Sequence, residues 1–497
     1  MNRKVKRVVV VGGGTAGWLS AAVIKKVIGN AVEVELVESD AIGTVGVGEA
    51  TIPPIRLINN VLGLDEAEFL RETNATIKLA IKFENWRVKD EGYFHTFGAP
   101  GQSYAFCHFH HFLKRAQMEL GETSNIWDYD LNYLAAKDNK FAKINSKDPI
   151  VDLPYAYHFD AGLYAQYLRK LSEKMGVVRT EGKITDVTQH PDSGFIDLLH
   201  LEDGREIQGD LFIDCSGFRG LLIQQKLNTG YEDWSHWLPC DRAIAIPSER
   251  LEHTLPYTRS IAHTAGWQWR IPLQHRNGNG HVYCSNYMSD DEALQILSGN
   301  LDTKPLADPN FIKFKTGRRR KQWNKNVIAV GLSSGFLEPL ESTSIHLIQT
   351  AVVRLLHTFP HDGIKPELVA EYNKQSQIEF EQVRDFIILH YIANERDDSQ
   401  FWRDMRTMPI PDSLRHKIEL FKEDGRLFRE NNDLFLEPSW LQVMMGQGIQ
   451  PSDYHPMANN MSPEKLQMML QTLKKIKEEP LQQLPSHDQF LKQFCGR

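Results

Sequence analysis

Residues 7–38, RVVVVGGGTAGWLSAAVIKKVIGNAVEVELVE, decide the fold. Val8 to Val11 form an unbroken apolar run, which predicts a parallel strand buried on both faces. Gly12, Gly14 and Gly17 follow as G-x-G-x-x-G. The first glycine permits a tight turn, the second lets backbone approach a pyrophosphate, and the third lets a helix pack closely on the strand. Trp18 to Val27 is expected to be that helix, its N-terminal N–H groups directed at phosphates. Glu33 to Val37 is expected to be a second strand, closed by Glu38 where an acid holds a ribose hydroxyl. Strand, glycines, helix, strand and terminal acid together predict a dinucleotide site.

The rest of the chain must build around that unit. A length of 497 residues exceeds one minimal core. A hydrophobic content of 41% with 24% charged residues is ordinary for a soluble globular protein. The net charge of −7 argues against a general nucleic-acid binder. No apolar run is long enough to span a membrane, and the N-terminus enters the first strand without a cleavable signal. The five scattered cysteines are expected to be reduced thiols in a cytoplasmic protein.

After Glu38, Gly43, Gly46, Gly48, Pro53 and Pro54 predict a loop lying against a cofactor. Asp65 to Lys78 is expected to be helical and Ile81 to Arg87 a strand. His108, His110 and His111 lack a carboxylate or cysteine at matching spacing, so no metal is expected. His158 to Met175 reads as a helix, and the following strands end in Asp214 and then Gly217. Arg242–Pro247, Tyr257–Ile261, Gly266–Pro272 and His281–Tyr287 predict a second sheet, with Asn277 to Gly280 as a hairpin turn. Arg318 to Lys321 is expected to be a solvated basic run. Asn326 to Gly331 reads as a late strand before a helix capped by Ser342 or Thr343. The fold class is therefore α/β: a Rossmann-like FAD-binding core of flavin-monooxygenase type, a second β-sheet, and a C-terminal mainly helical cap. Residues 1–360 are expected to hold the core interwoven with the substrate-side sheet, and residues 361–497 the cap.

One dinucleotide fingerprint, a strand ending in Asp214 and a late strand ending at Gly331 before a helix together point to FAD, and without a second G-x-G-x-x-G no nicotinamide site is signalled. With that in place, further stretches fall into a pattern. GWQWRIP (266–272) carries Trp267, Trp269, Ile271 and Pro272 as W-x-W-x-I-P. GGGTAGW (12–18), GVGEATIP (46–53), Lys-x3-Lys-Phe-x-Asn-Trp (78–86) and FLEPLEST (336–343) accompany it. Over nearly its whole length the chain resembles the flavin-dependent halogenases of the tryptophan halogenase family.

The resemblance implies an enzyme using reduced FAD, chloride or bromide, and O2. A flavin C4a-hydroperoxide would oxidise halide to hypohalous acid, which crosses a tunnel to an organic substrate. Trp267 and Trp269 would line the wall between the two compartments. Lys78 matches the essential lysine. Its ammonium either donates a hydrogen bond to hypohalous oxygen or forms a haloamine. The alternative is a lysine at a helix end, with Lys82 as the natural comparison. Glu341 matches the second essential residue, where a carboxylate stabilises the cationic ring or accepts its proton. Thr343 and Ser344 match the positions whose backbone holds halide, although many members have glycine at the second. Gly12, Gly13, Gly14, Thr15, Ala16 and Gly17 would hold the pyrophosphate. Glu38 and Ser39 would hold the ribose, Val187 the adenine, and Ala50, Leu332 and Ile345 the flavin. His95 and Phe97 match residues that sandwich an indole.

The resemblance further implies a separate NAD(P)H-dependent flavin reductase and a small aromatic substrate, and leaves a homodimer open; neither nucleic acid nor membrane is an expected partner. One departure stands out. Tryptophan-specific members hold the amino-acid backbone with a C-terminal tyrosine pair and a glutamate. Residues 436–456, LEPSWLQVMMGQGIQPSDYHP, show no such clamp. That points to indole, a substituted indole or a larger indole-bearing molecule. The competing readings are an aromatic hydroxylase on the same fold and a non-catalytic flavin-binding protein.

Overall fold

The computed structural model describes residues 4–43, 48–144, 148–430 and 432–496. Gly46 of the glycine-rich loop lies outside the described residues, as do Thr44, Val45 and Val47. The chain forms two compact units that alternate along the sequence.

The first unit comprises Met1–Ala75, Phe159–Asp241 and Lys313–Glu381. Its centre is the strand Arg7–Val11, with Val8, Val9 and Val10 fully buried. That strand pairs in parallel with Glu33–Glu38 on one side and Leu211–Asp214 on the other. Val178–Glu181 and Val327–Ala329 extend the sheet in parallel, and Trp323–Asn324 closes one edge antiparallel. Parallel strands need crossovers, which bury both faces and explain the alternation-free valine run. Val9, Val37, Leu199 and Phe212 share one core cluster.

The first helix is Thr15–Ile28, beginning earlier than the expected Trp18. Trp18 N–H already donates to Gly14 C=O (3.1 Å), so the glycine turn feeds the helix directly. The helix expected from His158 starts only at Ala161, because Asp160 caps it by accepting from Gly162 N–H (3.0 Å) and Leu163 N–H (3.1 Å). Residues Ala156–Asp160 are a strand instead. Thr343 does occupy the N-cap of the helix Ser344–His357, but its side chain makes no capping bond. The expected solvated basic run is half buried. Arg318 and Arg319 are buried, while Arg320 and Lys321 are exposed. Arg318 pairs with Glu232 (2.7 Å), and Arg319 donates to Ser333 C=O (3.0 Å) and Gln224 (2.9 Å). Paired guanidinium groups can be buried where unpaired ones cannot.

The second unit comprises Thr76–His158, Arg242–Ile312 and Gln382–Arg497. Its seven-stranded sheet runs, from one edge, Asn310–Lys313, Arg242–Glu249, Arg276–Tyr283, Gly266–Pro272, Tyr257–His263, Ala80–Glu84 and Gly92–Thr96. The expected helix Asp65–Lys78 is instead a short helix, Glu66–Glu72, followed by the strand Thr76–Lys78. Asn74 adopts φ 49°, which ends the helix. Asn277 to Gly280 is not a turn; it lies inside the strand Arg276–Tyr283. The hairpin closes one step earlier, where Leu273 N–H donates to Arg276 C=O (2.9 Å). Asn277 and Asn279 donate instead to Glu249 C=O (2.7 Å) and Ile246 C=O (3.3 Å) of the neighbouring strand. Gly280 makes room for Trp269, since a Cβ there would stand 2.0 Å from its ring.

Candidate active site

The first unit supplies a nucleotide cradle. Gly12 has φ 112°, and a Cβ there would meet Cys215 C=O at 2.4 Å. Gly12 N–H donates to Val37 C=O (2.8 Å) and Cys215 N–H to Val11 C=O (2.8 Å), which fixes the turn at the strand ends. A Cβ on Gly17 would stand 1.8 Å from Gly12 C=O, so helix and turn are in contact. Gly14 caps the helix without any side-chain bond, which leaves the first-turn N–H groups of Thr15 and Ala16 directed along the turn. Glu38 sits over this turn: a Cβ on Gly13 would come within 1.3 Å of Glu38 Oε2. Arg179 Nε donates to Glu38 Oε1 (2.6 Å), and Arg169 lies 3.7 Å from the same oxygen. Ser39 follows immediately, its hydroxyl accepting from Ala41 N–H (3.3 Å).

This arrangement fits the adenosine diphosphate half of FAD. A small-residue turn opens onto helix N–H donors, and a fixed carboxylate stands at the strand end where a ribose hydroxyl would bind. Val187 contributes its side chain to the hydrophobic cluster with Val37 and Leu199.

Other segments of the same unit carry the remaining residues expected at the flavin and the halide. Asp214 ends its strand buried and accepts from Leu222 N–H and Ile223 N–H (2.8 Å each). Ser333, beside Leu332, donates its hydroxyl to Asp214 C=O. Glu341 and Thr343 are buried, and Ser342 between them has φ 60°. Ser344 opens the helix, and Ile345 is buried one position on. The left-handed Ser342 turns the chain sharply between the carboxylate and the helix start. Ala50 is buried on the strand Gly48–Ala50. Its neighbour Glu49 escaped the sequence reading. Burial pushes the Glu49 carboxyl up to about 7. A perturbed acid is the signal that marks it, and that signal needs the structure.

The second unit supplies an aromatic cluster and a buried cation. Lys78 is fully buried on the strand Thr76–Lys78, paired with Ala156 in the adjoining strand. Its Nζ lies 5.3 Å from the centre of the Phe97 ring. His158, two residues along that adjoining strand, bonds Thr76 Oγ1 (3.0 Å) and Thr258 Oγ1 (2.9 Å). Burial, and then the Lys78 charge, hold His158 well below its ordinary value, so it is a neutral neighbour. Lys82, the comparison lysine, is one-third exposed and pairs with Glu84 (3.7 Å). The two lysines are thus separated by environment.

His95 lies on the strand Gly92–Thr96, and Phe97 follows just past its end. The His95 ring is 5.6 Å from Phe386 and 6.3 Å from Phe435. Phe386 and Phe435 stack at 3.8 Å, and Trp440 meets Phe386 edge-on at 4.8 Å. Sequence reasoning missed these three. Phe386 lies on the helix Pro366–Ile392, Phe435 just before the helix Glu437–Gly446 and Trp440 within it, and the fold alone brings them to His95. Gln442 on the helix Glu437–Gly446 fastens this wall, accepting from Thr96 N–H (2.9 Å) and Thr96 Oγ1 (3.1 Å).

Trp267 and Trp269 are buried on the same face of the strand Gly266–Pro272, their rings 6.2 Å apart. Trp267 also meets Trp86 of the Lys-x3-Lys-Phe-x-Asn-Trp stretch at 6.4 Å. His108, His110, His111 and His455 cluster without forming a metal-binding group among the described residues. His110 Nε2 bonds Gly425 C=O (2.7 Å) instead.

A parallel-sheet nucleotide cradle, a second sheet bearing paired tryptophans, and a buried lysine on a separate short strand define a flavoprotein of the monooxygenase build. The tryptophan halogenase family model matches residues 7–463. The tryptophan 7-halogenase RebH of Lentzea aerocolonigenes is 33% identical across the whole of both chains. The structure of Xcc4156, a flavin-dependent halogenase from Xanthomonas campestris, is 49% identical and superposes with TM-score 0.96 over 99% of each chain. BrvH, a flavin-dependent halogenase from Brevundimonas sp. BAL3, is 42% identical with TM-score 0.95 over 99% of this chain and 100% of that one. The chain belongs to the tryptophan halogenase family. It is a flavin-dependent halogenase that uses reduced FAD, halide and O2. The expectations for family, fold class and cofactors agree with these findings, which favour halogenase over hydroxylase or non-catalytic flavoprotein.

Proposed function

We propose that this halogenase acts on indole or a substituted indole, with Lys78 and Glu341 as its catalytic residues. The observation that carries the reading is Lys78: fully buried, on a strand, with its ammonium near the Phe97 ring. A cation there is well suited to act on hypohalous acid beside a bound aromatic. Reduced FAD, when bound, supplies with O2 the oxidising power that turns halide into hypohalous acid. Lys78 then donates a hydrogen bond to the hypohalous oxygen and polarises the oxygen–halogen bond. The ring carbon takes the halogen, the oxygen departs as hydroxide, and the displaced ring proton neutralises it to water. Glu341 stabilises the cationic ring and receives that proton in passing.

Gly12 to Gly17 hold the pyrophosphate through backbone N–H groups, and Glu38 with Ser39 holds the ribose. Ala50, Val187, Leu332 and Ile345 line the remainder of the cofactor, and backbone at Thr343 and Ser344 receives halide. Trp267 and Trp269 keep substrate apart from the flavin, so that halogenation replaces hydroxylation. His95 and Phe97 hold the indole faces, and the reduced cofactor comes from a separate flavin reductase. No described helix is long and apolar enough to cross a membrane. The sequence features above suit a cytoplasmic enzyme.

Mass spectrometry of an indole panel incubated with bromide, oxygen, reduced FAD and the enzyme tests the reading. Bromoindoles are the expected products. Hydroxylated products, or none, would overturn it.

A further inference from the structure

The seven-stranded sheet has two unlike faces. Side chains alternate along a strand, so Trp267 and Trp269 occupy one face and Gln268, Arg270 and Pro272 the other. On that other face the register puts three cations in one cross-strand row. Arg259 is the direct partner of Lys82 on one side and of Arg270 on the other. Like charges directly opposite each other destabilise a sheet.

Two carboxylates offset this row. Glu84 accepts from Arg259 Nε (2.6 Å) and Nη2 (3.0 Å) and lies 3.7 Å from Lys82 Nζ. Asp302 accepts from Arg270 Nη1 (2.5 Å) and, at 3.4 Å, from Arg259 Nη1. Three cations against two carboxylates leave this network with one excess positive charge. Arg270 Nη2 donates to Asn300 C=O, but its Nε–H is buried with no acceptor. An unmet donor on a buried guanidinium costs more than a neutral one. Burial, and then Arg259, hold the Arg270 guanidinium below its ordinary value.

Arg259 and Arg270 line a cleft with Tyr257, with the apolar side chains Leu251, Leu255 and Pro272, with the amides Asn277 and Asn279, and with Asp302, whose carboxylate both arginines already engage. Guanidinium groups beside apolar walls, with Asp302 already committed, leave place for one small, weakly hydrated monovalent anion, while a second carboxylate or a divalent oxyanion would crowd negative charge against Asp302. We infer that this cleft binds one monovalent halide ion, at a site separate from the halide position at Thr343 and Ser344. The ion accepts from Arg270 Nε–H, neutralises the row, and braces the sheet whose opposite face carries the tryptophan pair. Bromide, the less hydrated ion, binds better than chloride.

Diffraction from wild-type crystals soaked in sodium bromide, with data at the bromine edge, tests the site directly. The expected result is an anomalous peak within hydrogen-bond range of Arg270 Nε. A water or empty density there, at bromide concentrations that saturate turnover, overturns the inference. Thermal denaturation supplies a solution readout. Bromide is expected to raise the melting temperature by roughly 1–2 °C over acetate at matched ionic strength. Arg270→Met, and Arg270→Lys should the first not fold, are expected to lose that increment. A full bromide increment in either variant also overturns the inference.

Discussion

The ammonium nitrogen of Lys78 lies 5.3 Å from the centre of the Phe97 ring. A cation at that range is attracted by the ring face, and the attraction strengthens when both are desolvated. Lys78 is fully buried and Phe97 is half-buried. The aromatic that would hold the substrate thus also helps to hold the lysine that would act on it. Lys78→Ala is expected to cut halogenation by about 10²- to 10⁴-fold, the usual contribution of a positioned proton donor. FAD affinity and oxygen consumption by the reduced-FAD-loaded enzyme should stay within a few-fold of wild type. Lys82→Ala should keep near-normal turnover. Halogenated indole at wild-type rate from Lys78→Ala would refute the assignment.

Gly13→Ala tests the nucleotide cradle. The added methyl would stand 1.3 Å from Glu38 Oε2 and 2.8 Å from Glu38 Cβ. A terminal oxygen alone could swing away, but Arg179 holds this carboxylate at 2.6 Å and the Cβ cannot move far. The substitution should displace Glu38 from both Arg179 and the ribose. A fall of about tenfold or more in FAD affinity is expected, corresponding to roughly 1.4 kcal/mol. Fluorescence titration with FAD, and with riboflavin as the control lacking adenosine, measures it. An equal loss for both ligands would place the damage outside the adenosine site.

Some of this molecule is legible in its sequence for clear reasons. The strand Arg7–Val11 is readable because burial on both faces leaves no polar alternation, and the glycines because their φ values and close contacts exclude a side chain. Lys78 is legible as a matched residue, yet its strand reads from sequence as the end of a helix. The apolar spacing of residues 65–78 continues past the point where left-handed Asn74 ends the helix. Asn277 to Gly280 has turn chemistry, yet packing overrides it, because Gly280 seats Trp269. Arg318 and Arg319 look solvated until a strand distant in sequence brings Glu232 to the first and the turn Gly331–Ser333 brings a carbonyl to the second. Phe386, Phe435 and Trp440 have no local signature, since only tertiary packing sets them beside His95.

Acid should loosen the second unit. His110 is held down to about 4, chiefly by burial and then by neighbouring His108, against the favourable bond to Gly425 C=O. His111 is held down to about 3 by burial and by His110, His455, His108 and Arg426. Both are neutral in the folded state, while in the unfolded chain they protonate near pH 6.5. Below that pH the unfolded state binds more protons, so stability falls as pH falls. The loss starts near pH 6.5 and is complete only near the folded values. His110 alone accounts for roughly 2 kcal/mol between pH 8 and pH 5. Denaturant titrations across that range should show the decline, and His110→Asn should flatten it. An unchanged slope in that variant would assign the pH dependence to other groups.

Substrate preference follows from the C-terminal wall. Free tryptophan carries an ammonium and a carboxylate, and burying either without a partner is costly. In residues 436–456 there is one tyrosine, Tyr454, and its hydroxyl donates to Glu119. Of the two buried amides of that segment, Gln442 is engaged by the backbone of Thr96, and Gln447 donates to His390 C=O (2.8 Å) while its Oε1 has no partner. Trp440 is packed edge-on against Phe386. Among these groups the Gln447 Oε1 is a lone acceptor, which leaves a tryptophan carboxylate without a donor. Indole asks only for aromatic faces such as His95 and Phe97 and one acceptor for its N–H. Each unpaired buried polar group costs roughly 1–3 kcal/mol, or about 5- to 150-fold. Indole is therefore expected to exceed tryptophan in kcat/KM by at least the lower of those factors. Without a clamp to fix the ring's register, halogenation should follow ring electronics and fall at C3 of indole. Competition between equimolar indole and tryptophan, resolved by mass spectrometry and NMR, measures both expectations. Predominant benzo-ring halogenation of tryptophan would show that another part of the chain supplies the missing clamp.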